Sequence, residues 1–472
     1  MSHEIRADYR QTLMFPPCLE DWLPEDHPAR FVREFVDRLP LKEMGLQVRE
    51  CPEGRPSYGA DLLLKVWVYG YLERIRSTRQ LERACRQNVA LIWLTGMNYP
   101  DHNTLWRFWR DNREAMKGIF RQTVEVAAGL GLVEMVLHAV DGTKITARGS
   151  THKAWGRKRL EKLLKDLERE IEGAMKAVEE GERGESGEYR LPAELTDKVE
   201  LRRKIQEKLA QLEEQQREHM NPAEPEARMM KNHEGTRLGY NAQVVVDAKA
   251  GIIVASEVST DANDKFQLKP MLEKVQEGMG RVADETVAGA GYCSGEQLAA
   301  AEKAEYPVLV NLQGGDPSQE EPGEYQASRF VYDAEKDCLT CPRGGVLVYE
   351  CTQCASSKRY EVRRYRCRDY QNCPVRWECS KEKQGRAVKL SPYLPAVQRQ
   401  QDKQRDPVKA RLLKRRMGIV EPAFARVKHL LDFRRWTMGG LDKVRAQWSF
   451  VCALANLMTL YPLWRKGHLR RA

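Results

Sequence analysis

The sequence lacks any long hydrophobic run. No stretch reaches about 18 consecutive apolar residues, which excludes an ordinary membrane-spanning helix. The closest candidate, Trp448–Trp464, should form a buried helix instead. Its apolar character is interrupted by Ser449, Asn456, Thr459 and Pro462. The N-terminus, MSHEIRADYR, lacks the apolar segment of a secretory signal, so we expect a cytoplasmic protein.

Cysteine is scarce and unevenly distributed. The chain has 12 cysteines in 472 residues, and seven of them lie between residues 338 and 379. In a cytoplasmic protein such crowding indicates a metal site before a disulfide framework. The length predicts about three domains at roughly 150 residues each. The apolar share of 42% is that of a globular protein and excludes disorder throughout.

Charge of one sign is concentrated at one end of the chain. From Ala355 to the C-terminus there are 29 Lys and Arg against 9 Asp and Glu, which gives 29 − 9 = +20. Because the whole chain carries +10, the preceding 354 residues carry 10 − 20 = −10. A basic segment with interleaved aromatic residues favours a polyanion partner, most commonly nucleic acid. The alternative is a solvated basic surface.

The first 131 residues have a helical pattern. Residues 60–75 are apolar nearly all round and predict a buried helix. Ser77 and Gln80 have the spacing of a capping box at the start of the next helix. After a turn at 98–101, a further helix opens near Asn103 and carries Arg107 and Arg110. This arrangement predicts a helix-turn-helix DNA reader, although a plain helical bundle would show the same pattern.

Residues 134–312 alternate strands and helices. A β-prone run at 134–147 contains Asp141, two strands are expected within 240–259, and further strands within 285–292 and 306–312. Helices are expected between them, at 265–279 and 294–304. The pattern predicts a mixed α/β sheet, and an RNase H-like arrangement is one way to build it.

Two highly charged helical stretches interrupt this alternation, at 156–179 and 195–218. Each has a narrow apolar stripe with three- and four-residue steps, so we expect an antiparallel helical hairpin. The stripes consist of Leu160, Leu163, Leu167 and Ile171 in the first stretch, and of Leu195, Val199, Ile205, Leu209 and Leu212 in the second.

The cysteine-rich segment is expected to form a single loop between a strand and a helix, and it offers seven thiols: Cys338, Cys341, Cys351, Cys354, Cys367, Cys373 and Cys379. Paired C-x-x-C units favour tetrahedral zinc, because each pair places two thiolates on one tight turn. Two other interpretations stay open at this point. The thiols are free and reduced, or they hold an iron–sulfur cluster.

The C-terminal segment is helical and basic. Pro422 is disfavoured inside a helix, so a helix should start or kink beside Glu421. Glu421 is an isolated acid among Lys414, Arg415, Arg416, Arg426 and Lys428. It is either a salt-bridge partner or a ligand for a metal ion beside bound phosphate.

Several motifs, in order along nearly the whole chain, resemble bacterial insertion-sequence transposases of the DDE class. They are RPSYGADLLLKVWVYGYLERIRSTRQLE, IWLTGMNYPDHNTLWRFW, VDGTKI, EPEARMMK, YNAQVVVDA, AGYCS and RRMGIVEPAFARVKHL. The resemblance implies a helical N-terminal DNA-binding domain at 1–131 and an RNase H-like catalytic domain at 132–472. The second domain would carry a helical hairpin inserted at 151–222 and a Cys-rich insertion at 315–395.

The resemblance also implies the chemistry. In the family two Asp and one Glu bind two divalent metals, Mg²⁺ or Mn²⁺, which activate the attacking oxygen and stabilise the leaving oxygen. Asp141 matches the first acid and Glu421 the third. Gly289 stands where the family has the second Asp. Asp284 is five residues upstream, about 16 Å along a strand, and is a poor substitute.

Two smaller departures from the family pattern are Ala425, where members often have Gly, and Tyr370, where a cysteine is common. The family's partner is double-stranded DNA, at the element's ends and at the target, bound by a homodimer. The cations expected to contact DNA are Arg76, Arg79, Arg107, Arg110, Lys144, Arg416, Arg426 and Lys428.

Three functions are compatible with this sequence. The first is a transposase that binds terminal inverted repeats and catalyses metal-dependent strand cleavage and transfer. The second is a catalytically inactive DNA-binding derivative on the same scaffold. The third is a zinc-dependent transcription factor, which would need neither Asp141 nor Glu421. Because glycine supplies no carboxylate, we expect the chain to bind DNA, in association with the nucleoid, but to cleave it at or near background.

Overall fold

The computed structural model describes residues 18–47, 57–150, 155–181, 193–214, 218–221, 224–232, 235–312, 324–325, 329–333, 335–354 and 361–467. Three of the sequence-based expectations concern segments outside these residues. They are the N-terminal segment 1–17, the loop within the hairpin at 182–192 and the start of the Cys-rich insertion at 315–323.

The N-terminal part is helical, as predicted. Its α-helices are α1 (Pro28–Asp37), α2 (Ala60–Leu72), α3 (Thr78–Gln87), α4 (Val89–Leu94), α5 (His102–Asp111) and α6 (Arg113–Gly129). Helix α2 is buried from Leu63 to Tyr71, which confirms the buried helix. Ser77 is the N-cap of α3, but its side chain makes no capping hydrogen bond, so the capping box is wrong.

The predicted long helix after Asn103 is in fact two helices. Asn112 separates α5 from α6, and its backbone φ of −110° is not helical. Its side-chain amide donates to Phe108 O (2.8 Å) and Gln47 O (2.8 Å) and accepts from the Gln47 N–H (2.6 Å). A buried amide that binds a distant loop therefore terminates α5, which composition alone could not reveal.

The central sheet is mixed and six-stranded. In chain order the first strands are β1 (Leu137–Thr146), β2 (Trp155–Gly156), β3 (His219–Met220), β4 (Arg228–Asn232), β5 (Gly235–Asp247), β6 (Ile253–Ser259), β7 (Glu285–Ala288) and β8 (Val308–Val310). The sheet order is β4-β5-β1-β7-β8, and β6 also pairs with β5. Strand β1 is antiparallel to β5 and parallel to β7, which is parallel to β8.

The two charged helices are α7 (Arg157–Gly181) and α8 (Ala193–Glu214), which pack against each other as predicted. Their small core contains Leu160, Leu167, Ile171, Ile205 and Leu212, with Met220 from β3. The prediction that the stripe residues are buried is wrong for two of them. Leu163 is 45% exposed and Val199 is 39% exposed. The side chain of Leu195 lies outside the described residues.

Most of the remaining helices surround the central sheet, whereas the four-residue helix at Arg376–Cys379 lies in the Cys-rich segment. The remaining helices are α9 (Leu268–Met279), α10 (Gly295–Lys303), α11 (Arg376–Cys379), α12 (Leu394–Arg405), α13 (Pro407–Ala425) and α14 (Leu441–Arg465). Helix α14 is buried on nearly all sides, as predicted, and packs on α6 and β6. One apolar core runs from Leu23 to Trp464 and so joins the N-terminal helices to the sheet. Within the described residues, no helix is both long and apolar enough to span a membrane.

The helix expected to start or kink beside Glu421 does not start there. Helix α13 runs through Pro422 to Ala425. A single π-helical turn follows at Arg426–Leu430. The proline is therefore accommodated close to the end of the helix, and the irregular geometry lies four residues beyond it.

The Cys-rich segment forms a second, antiparallel sheet, where the sequence had predicted a loop between a strand and a helix. Its strands are β9 (Val331–Asp333), β10 (Cys338–Thr340), β11 (Val346–Cys354), β12 (Glu361–Cys367) and β13 (Ala387–Leu390), in the order β13-β12-β11-β10-β9. A small core of Phe330, Leu339, Leu347, Tyr365 and Val388 lies on one side of it.

Candidate active site

The first and second acid positions lie side by side at one end of the central sheet. Val140 on β1 pairs with Ala288 on the parallel strand β7. Asp141 and Gly289 are the next residues on these neighbouring strands, which places their backbones about 5 Å apart. The second-acid position was expected on the strand next to that of Asp141, whereas Gly289 is the first residue after β7.

Arg416 fills the space between these two positions. It lies on the face of α13 that also carries the buried residues Ile419, Val420 and Ala423, at helical spacing. Its Nη1 donates to Asp141 Oδ2 at 2.8 Å, and the two side chains are 20% and 29% exposed. A Cβ built on Gly289 would lie 3.4 Å from the Arg416 Cζ. A guanidinium therefore covers the place where the family has a carboxylate.

The third acid, Glu421, lies on the same helix but is exposed. It is five residues beyond Arg416, which is about 7.5 Å along the axis and about 140° around it. No hydrogen bond or ion pair of Glu421 is found among the described residues. Within the same residues, no group of three or more His, Cys, Asp or Glu could hold a metal ion. The residues present do not fit the family's pair of divalent metals.

A further carboxylate, Asp264, lies next to this site, and the sequence analysis missed it. It accepts hydrogen bonds from Lys144 Nζ (2.9 Å), Asn241 Nδ2 (2.7 Å) and Gln243 Nε2 (2.8 Å). A signal existed in the sequence, since Asn241 and Gln243 are alternate polar residues in an otherwise apolar strand. The acid itself comes from the loop after β6 and gives no such pattern.

Asp264 also explains two glycines of the site motifs. A Cβ on Gly142 would lie 2.9 Å from its Oδ1, and a Cβ on Gly291 would lie 3.2 Å from its Oδ2. Tyr292, which follows Gly291, donates its hydroxyl to Gln243. Burial raises the pKa of Tyr292, and the charges of Asp264 and Asp141 raise it further. The Tyr292 hydroxyl is therefore a proton donor in a fixed polar network.

Asp284, the poor substitute for the second acid, and Asp261, another acid of the same domain, lie elsewhere. Asp284 precedes β7 and ion-pairs with Arg281 at 3.1 Å, at the strand end opposite to Gly289. Asp261 accepts from Gln267 Nε2 at 2.8 Å and lies 3.8 Å from Arg228. The structure therefore gives neither residue a contact with Asp141.

The predicted DNA-binding arginines of the N-terminal helices differ in their surroundings. Arg79 and Arg107 are exposed and have no partner among the described residues. Arg110 is exposed and ion-pairs with Asp111 at 2.7 Å. Arg76 is half-buried, donates to the carbonyl of Leu431 and lies over the ring of Phe433 at 5.5 Å. Burial lowers the pKa of Arg76, and its contacts are those of a structural residue.

Helix α5 presents one exposed face with a composition suited to DNA. Asn103, Trp106, Arg107 and Arg110 have the i, i+3, i+4 and i+7 spacing of one helix face, and all four are exposed. Trp106 is 40% exposed, which is unusual for so large an apolar side chain. An N-cap hydrogen bond from the Thr104 N–H to Asp101 Oδ1 (2.6 Å) fixes the start of the helix.

The predicted cations near the sheet mostly have internal partners. Lys144 is held by Asp264, and Arg416 by Asp141. Arg426 donates to the carbonyl of Gly251, and burial lowers its pKa. Lys428 lies over the ring of Phe424 at 5.4 Å. Burial lowers the pKa of the Lys428 ammonium, and the nearby charge of Asp141 opposes that shift.

The cysteines do not form the predicted pair of C-x-x-C turns. Cys351 and Cys354 lie on strand β11, where residues three apart face opposite sides of a sheet. Cys338 is buried within β10. Cys341, Cys367 and Cys379, in contrast, pack against the small core of the second sheet. The predicted turns are wrong because these segments are strands.

Four thiols gather around that core. Burial raises the pKa of the Cys379 thiol, the charge of Arg386 lowers it, and the charges of Cys341, Cys373 and Cys367 raise it further, so the four thiols are close enough for their charges to interact. The Gly345 N–H donates to the sulfur of Cys341 at 3.2 Å, within the turn between β10 and β11. Gly344 has φ +83°, a conformation that glycine adopts without strain and that this turn requires.

Two family models match the chain. A "Transposase domain (DUF772)" matches residues 17–111, and a "Transposase DDE domain" matches residues 340–461. The first match covers α3 and α5, and the second covers the four gathered cysteines, Arg416 and Glu421. No curated protein matches the chain. Both matches are to transposase domains, and together with the order of the sequence motifs they support an insertion-sequence transposase of the DDE class.

Proposed function

We propose that this protein binds the terminal inverted repeats of its own insertion sequence and does not cleave them. One observation carries the proposal. Position 289, beside Asp141, is a glycine covered by the Arg416 guanidinium. Strand cleavage in the family depends on three carboxylates, and the second of them stands at that position. With only Asp141 and Glu421 remaining, the protein keeps a DNA-binding scaffold and loses the ligand set for catalysis.

We propose that the central sheet is an RNase H-like catalytic scaffold. The support is its strand order, with an antiparallel β6-β5-β1 meander continued by the parallel strands β7 and β8. This order brings the ends of β1 and β7 together. The proposed division is a DNA-binding domain at 1–131 and an RNase H-like domain at 132–472, with the hairpin and the Cys-rich segment as insertions.

We propose that helix α5 reads the DNA major groove. Arginine and asparagine form paired hydrogen bonds with guanine and adenine edges, respectively. Arg107 and Asn103 have this chemistry, are exposed and lie one turn apart on one face. Arg79, on α3, supplies a further exposed cation for the phosphate backbone. The C-terminal quarter, at +20, supplies attraction that does not depend on sequence.

The second candidate function is an active transposase that cleaves and transfers strands with Mg²⁺ or Mn²⁺. Asp141 and Glu421 favour it, because a pure DNA-binding protein needs neither acid. When bound, divalent metals would supply the Lewis acid for attack on a phosphate. The donor set of this chain does not fit them, so we assign the chain to the non-cleaving function. A homodimer that pairs two DNA ends remains our expectation for either function.

We propose one structural zinc in the second sheet, bound by Cys341, Cys367, Cys373 and Cys379. Four thiolates are a common zinc donor set, and an N–H that donates to a cysteine sulfur suits a thiolate. Because the described residues do not form a metal-holding group as placed, zinc has to draw these segments together. Cys338, Cys351 and Cys354 are not ligands in this proposal.

The test is a competition binding experiment on the full chain. A labelled duplex with the element's terminal repeat is competed by unlabelled repeat and by a shuffled duplex of equal length and composition. We expect the repeat to compete at least about 1,000-fold better, which is the lower end of the specificity ratios seen for DNA-binding proteins. Equal competition by the two duplexes would contradict repeat recognition.

A further inference from the structure

The hairpin of α7 and α8 has no part in the proposed function, and its two helices pack mainly on each other. Together they contain 12 Lys and Arg and 13 Asp and Glu, which gives 12 − 13 = −1. Binding to DNA without sequence preference draws on surplus positive charge, and the surplus of this chain lies after Ala355. The charge of the hairpin therefore suits a protein partner better than DNA.

Two large apolar side chains of the hairpin are uncovered. Leu163 on α7 and Leu201 on α8 are each 45% exposed. At about 100° per residue, Leu163 lies about 60° around its helix from the buried Leu160, and Leu201 about 40° from the buried Ile205. Both offsets run against the winding of the chain. Because the two helices are antiparallel, these offsets bring both leucines to the same side of the hairpin.

The charged residues on that side are sorted by sign along the hairpin. The side is formed by positions 159, 163, 166 and 170 of α7 and by positions 197, 201, 204 and 208 of α8, which have one and the same helical spacing. An ion pair between Lys198 and Glu170 (3.2 Å) shows how the helices align. The half next to β2 and β3 is basic and carries Arg159, Lys204 and Lys208. The far half is acidic and carries Asp166, Glu170 and Asp197, and the two leucines lie in the middle. We call these eight residues the hairpin face.

The charges of the hairpin face are only weakly engaged within the chain. Arg159 and Asp197 have no ion pair with another described residue. Three surface ion pairs involve the others: Lys204 with Glu200 (2.8 Å), Glu170 with Lys198 (3.2 Å) and Asp166 with Arg169 (3.7 Å). Exposed pairs of this kind contribute little to stability, so these side chains can exchange partners at low cost.

We propose that the hairpin face binds the hairpin face of a second copy of this chain, with the two hairpins antiparallel. A two-fold axis through the middle of the face then joins the leucines at the centre. It places Arg159 of each copy near Glu170 of the other, and Lys208 near Asp197. A parallel arrangement would set like charges against each other, which disfavours it. This interface needs no DNA and goes beyond the proposed function.

The size of the hairpin face sets the expected strength of the interface. A 22-residue helix such as α8 is about 33 Å long, and two helices side by side are about 20 Å wide. The face therefore offers roughly 600 Å² per copy, which for two copies is the lower end of the range for specific interfaces. We expect a reversible dimer with a dissociation constant on the order of 10 µM.

The first test is sedimentation equilibrium of the full chain without DNA, at about 1 to 100 µM. Leu163→Ser combined with Leu201→Ser should weaken the dimer at least about tenfold, because the centre of the interface loses its apolar contacts. Val199→Ser is the matched control. Val199 is also an exposed apolar residue, at 39%, but lies on the other side of the hairpin, so its substitution should change the dimer by less than about twofold.

The second test exchanges the charges of the two halves. One variant carries Arg159→Glu with Lys208→Glu, and the other carries Glu170→Lys with Asp197→Lys. Each variant alone sets like charges together and should weaken self-association at least about tenfold. An equimolar mixture restores opposite charges at both ends, so the two variants should form a mixed dimer about as tight as that of the unaltered chain. Circular dichroism verifies that both are folded.

Each possible result decides for or against the hairpin face. An unaltered chain that stays monomeric at 100 µM overturns the proposal, and the face would then belong to another partner. Charge variants that each dimerise as tightly as the unaltered chain would place the dimer contact elsewhere on the molecule. Two monomeric variants that fail to associate on mixing would overturn the antiparallel arrangement. None of these measurements involves the repeat duplex, so the proposed function stands or falls separately.

Discussion

Two groups of Lys and Arg look alike in the sequence but have different surroundings in the structure. One lies on the N-terminal helices and the other at the end of the central sheet. On α3 and α5, Arg79 and Arg107 project from the surface without protein partners among the described residues. Near the sheet, Lys144 and Arg416 each bind a carboxylate. The difference teaches that a run of basic residues in a sequence can contain two kinds of cation. Unpaired cations can contact DNA directly, whereas cations paired with a carboxylate must first release it.

The strongest way to break this comparison is to restore the missing acid. Gly289→Asp places a carboxylate beside Arg416, with its Cβ in van der Waals contact with the Arg416 Cζ at 3.4 Å. We expect Mg²⁺-dependent nicking at the repeat ends to rise at least about 100-fold. The restored carboxylate would help to hold divalent metals, which would stabilise the transition state by several kcal/mol. The measurement is single-turnover nicking of a labelled repeat duplex.

Gly289→Asn is the matched control, since it has the same shape without the charge and should leave nicking at background. Asp141→Ala or Glu421→Ala, added to Gly289→Asp, should remove the restored activity. Restored nicking that survives both additions would mean that the three positions do not act together.

The second prediction concerns salt. If about five phosphates are neutralised, log K should fall with log salt at a slope of about −4 to −5, a loss of roughly 500-fold between 50 and 200 mM salt. On a shuffled duplex, where both arginines would contact phosphate, Arg79→Gln with Arg107→Gln should reduce this slope by about two. Lys144→Gln is the control, because Lys144 is paired with Asp264 and should change the slope little. A slope near zero for the unaltered chain would contradict the electrostatic account.

The third prediction concerns sequence recognition by α5. Arg107→Ala should weaken binding to the repeat by about 5- to 150-fold, as expected for one paired arginine–guanine contact. Its effect on a shuffled duplex should be much smaller, because there the residue contacts only phosphate. Arg110→Ala, whose arginine pairs with Asp111, serves for comparison. Equal losses on both duplexes would mean that Arg107 positions the protein and reads no base.

The smallest effect on DNA binding is expected from the zinc site. Protein purified without chelator should contain close to one zinc per chain, measured by atomic absorption. Cys341→Ser should abolish zinc binding and unfold the second sheet. Cys354 is the last residue of β11 and is not a proposed ligand, so Cys354→Ser should retain zinc. Both should leave the N-terminal helices and most of the DNA affinity intact, and less than about a tenth of a zinc per chain would contradict the site.

Periodicity predicted the elements correctly where one local pattern decides the structure. The buried helix α2, the hairpin of α7 and α8 and the strand containing Asp141 all follow from the spacing of apolar residues. The pattern failed where a distant contact decides. Asn112 ends α5 because it binds Gln47, 65 positions away. The sequence predicted a loop for the Cys-rich segment because the segment contains few apolar residues. In the structure these few residues pack into one small core.

The candidate site was predictable in its motifs and not in its charge balance. The resemblance to transposases identified positions 141, 289 and 421. Asp264 was missed because its neighbours Asn241 and Lys144 are distant in sequence and meet it only when β5 pairs with β1. The partnership of Arg416 with Asp141 spans 275 positions. No local pattern contains that information, so Arg416, which binds Asp141 inside the site, was predicted only as a cation that contacts DNA.

The most direct test of the account is strand cleavage by the unaltered chain on repeat DNA to which it is demonstrably bound. The reaction contains Mg²⁺ or Mn²⁺, and an Asp141→Ala protein runs alongside. The account predicts a retarded complex and no nicked product above the Asp141→Ala background. Strong cleavage that Asp141→Ala abolishes would contradict it, and the second acid would then have to be sought at Asp264, Asp261 or Asp284.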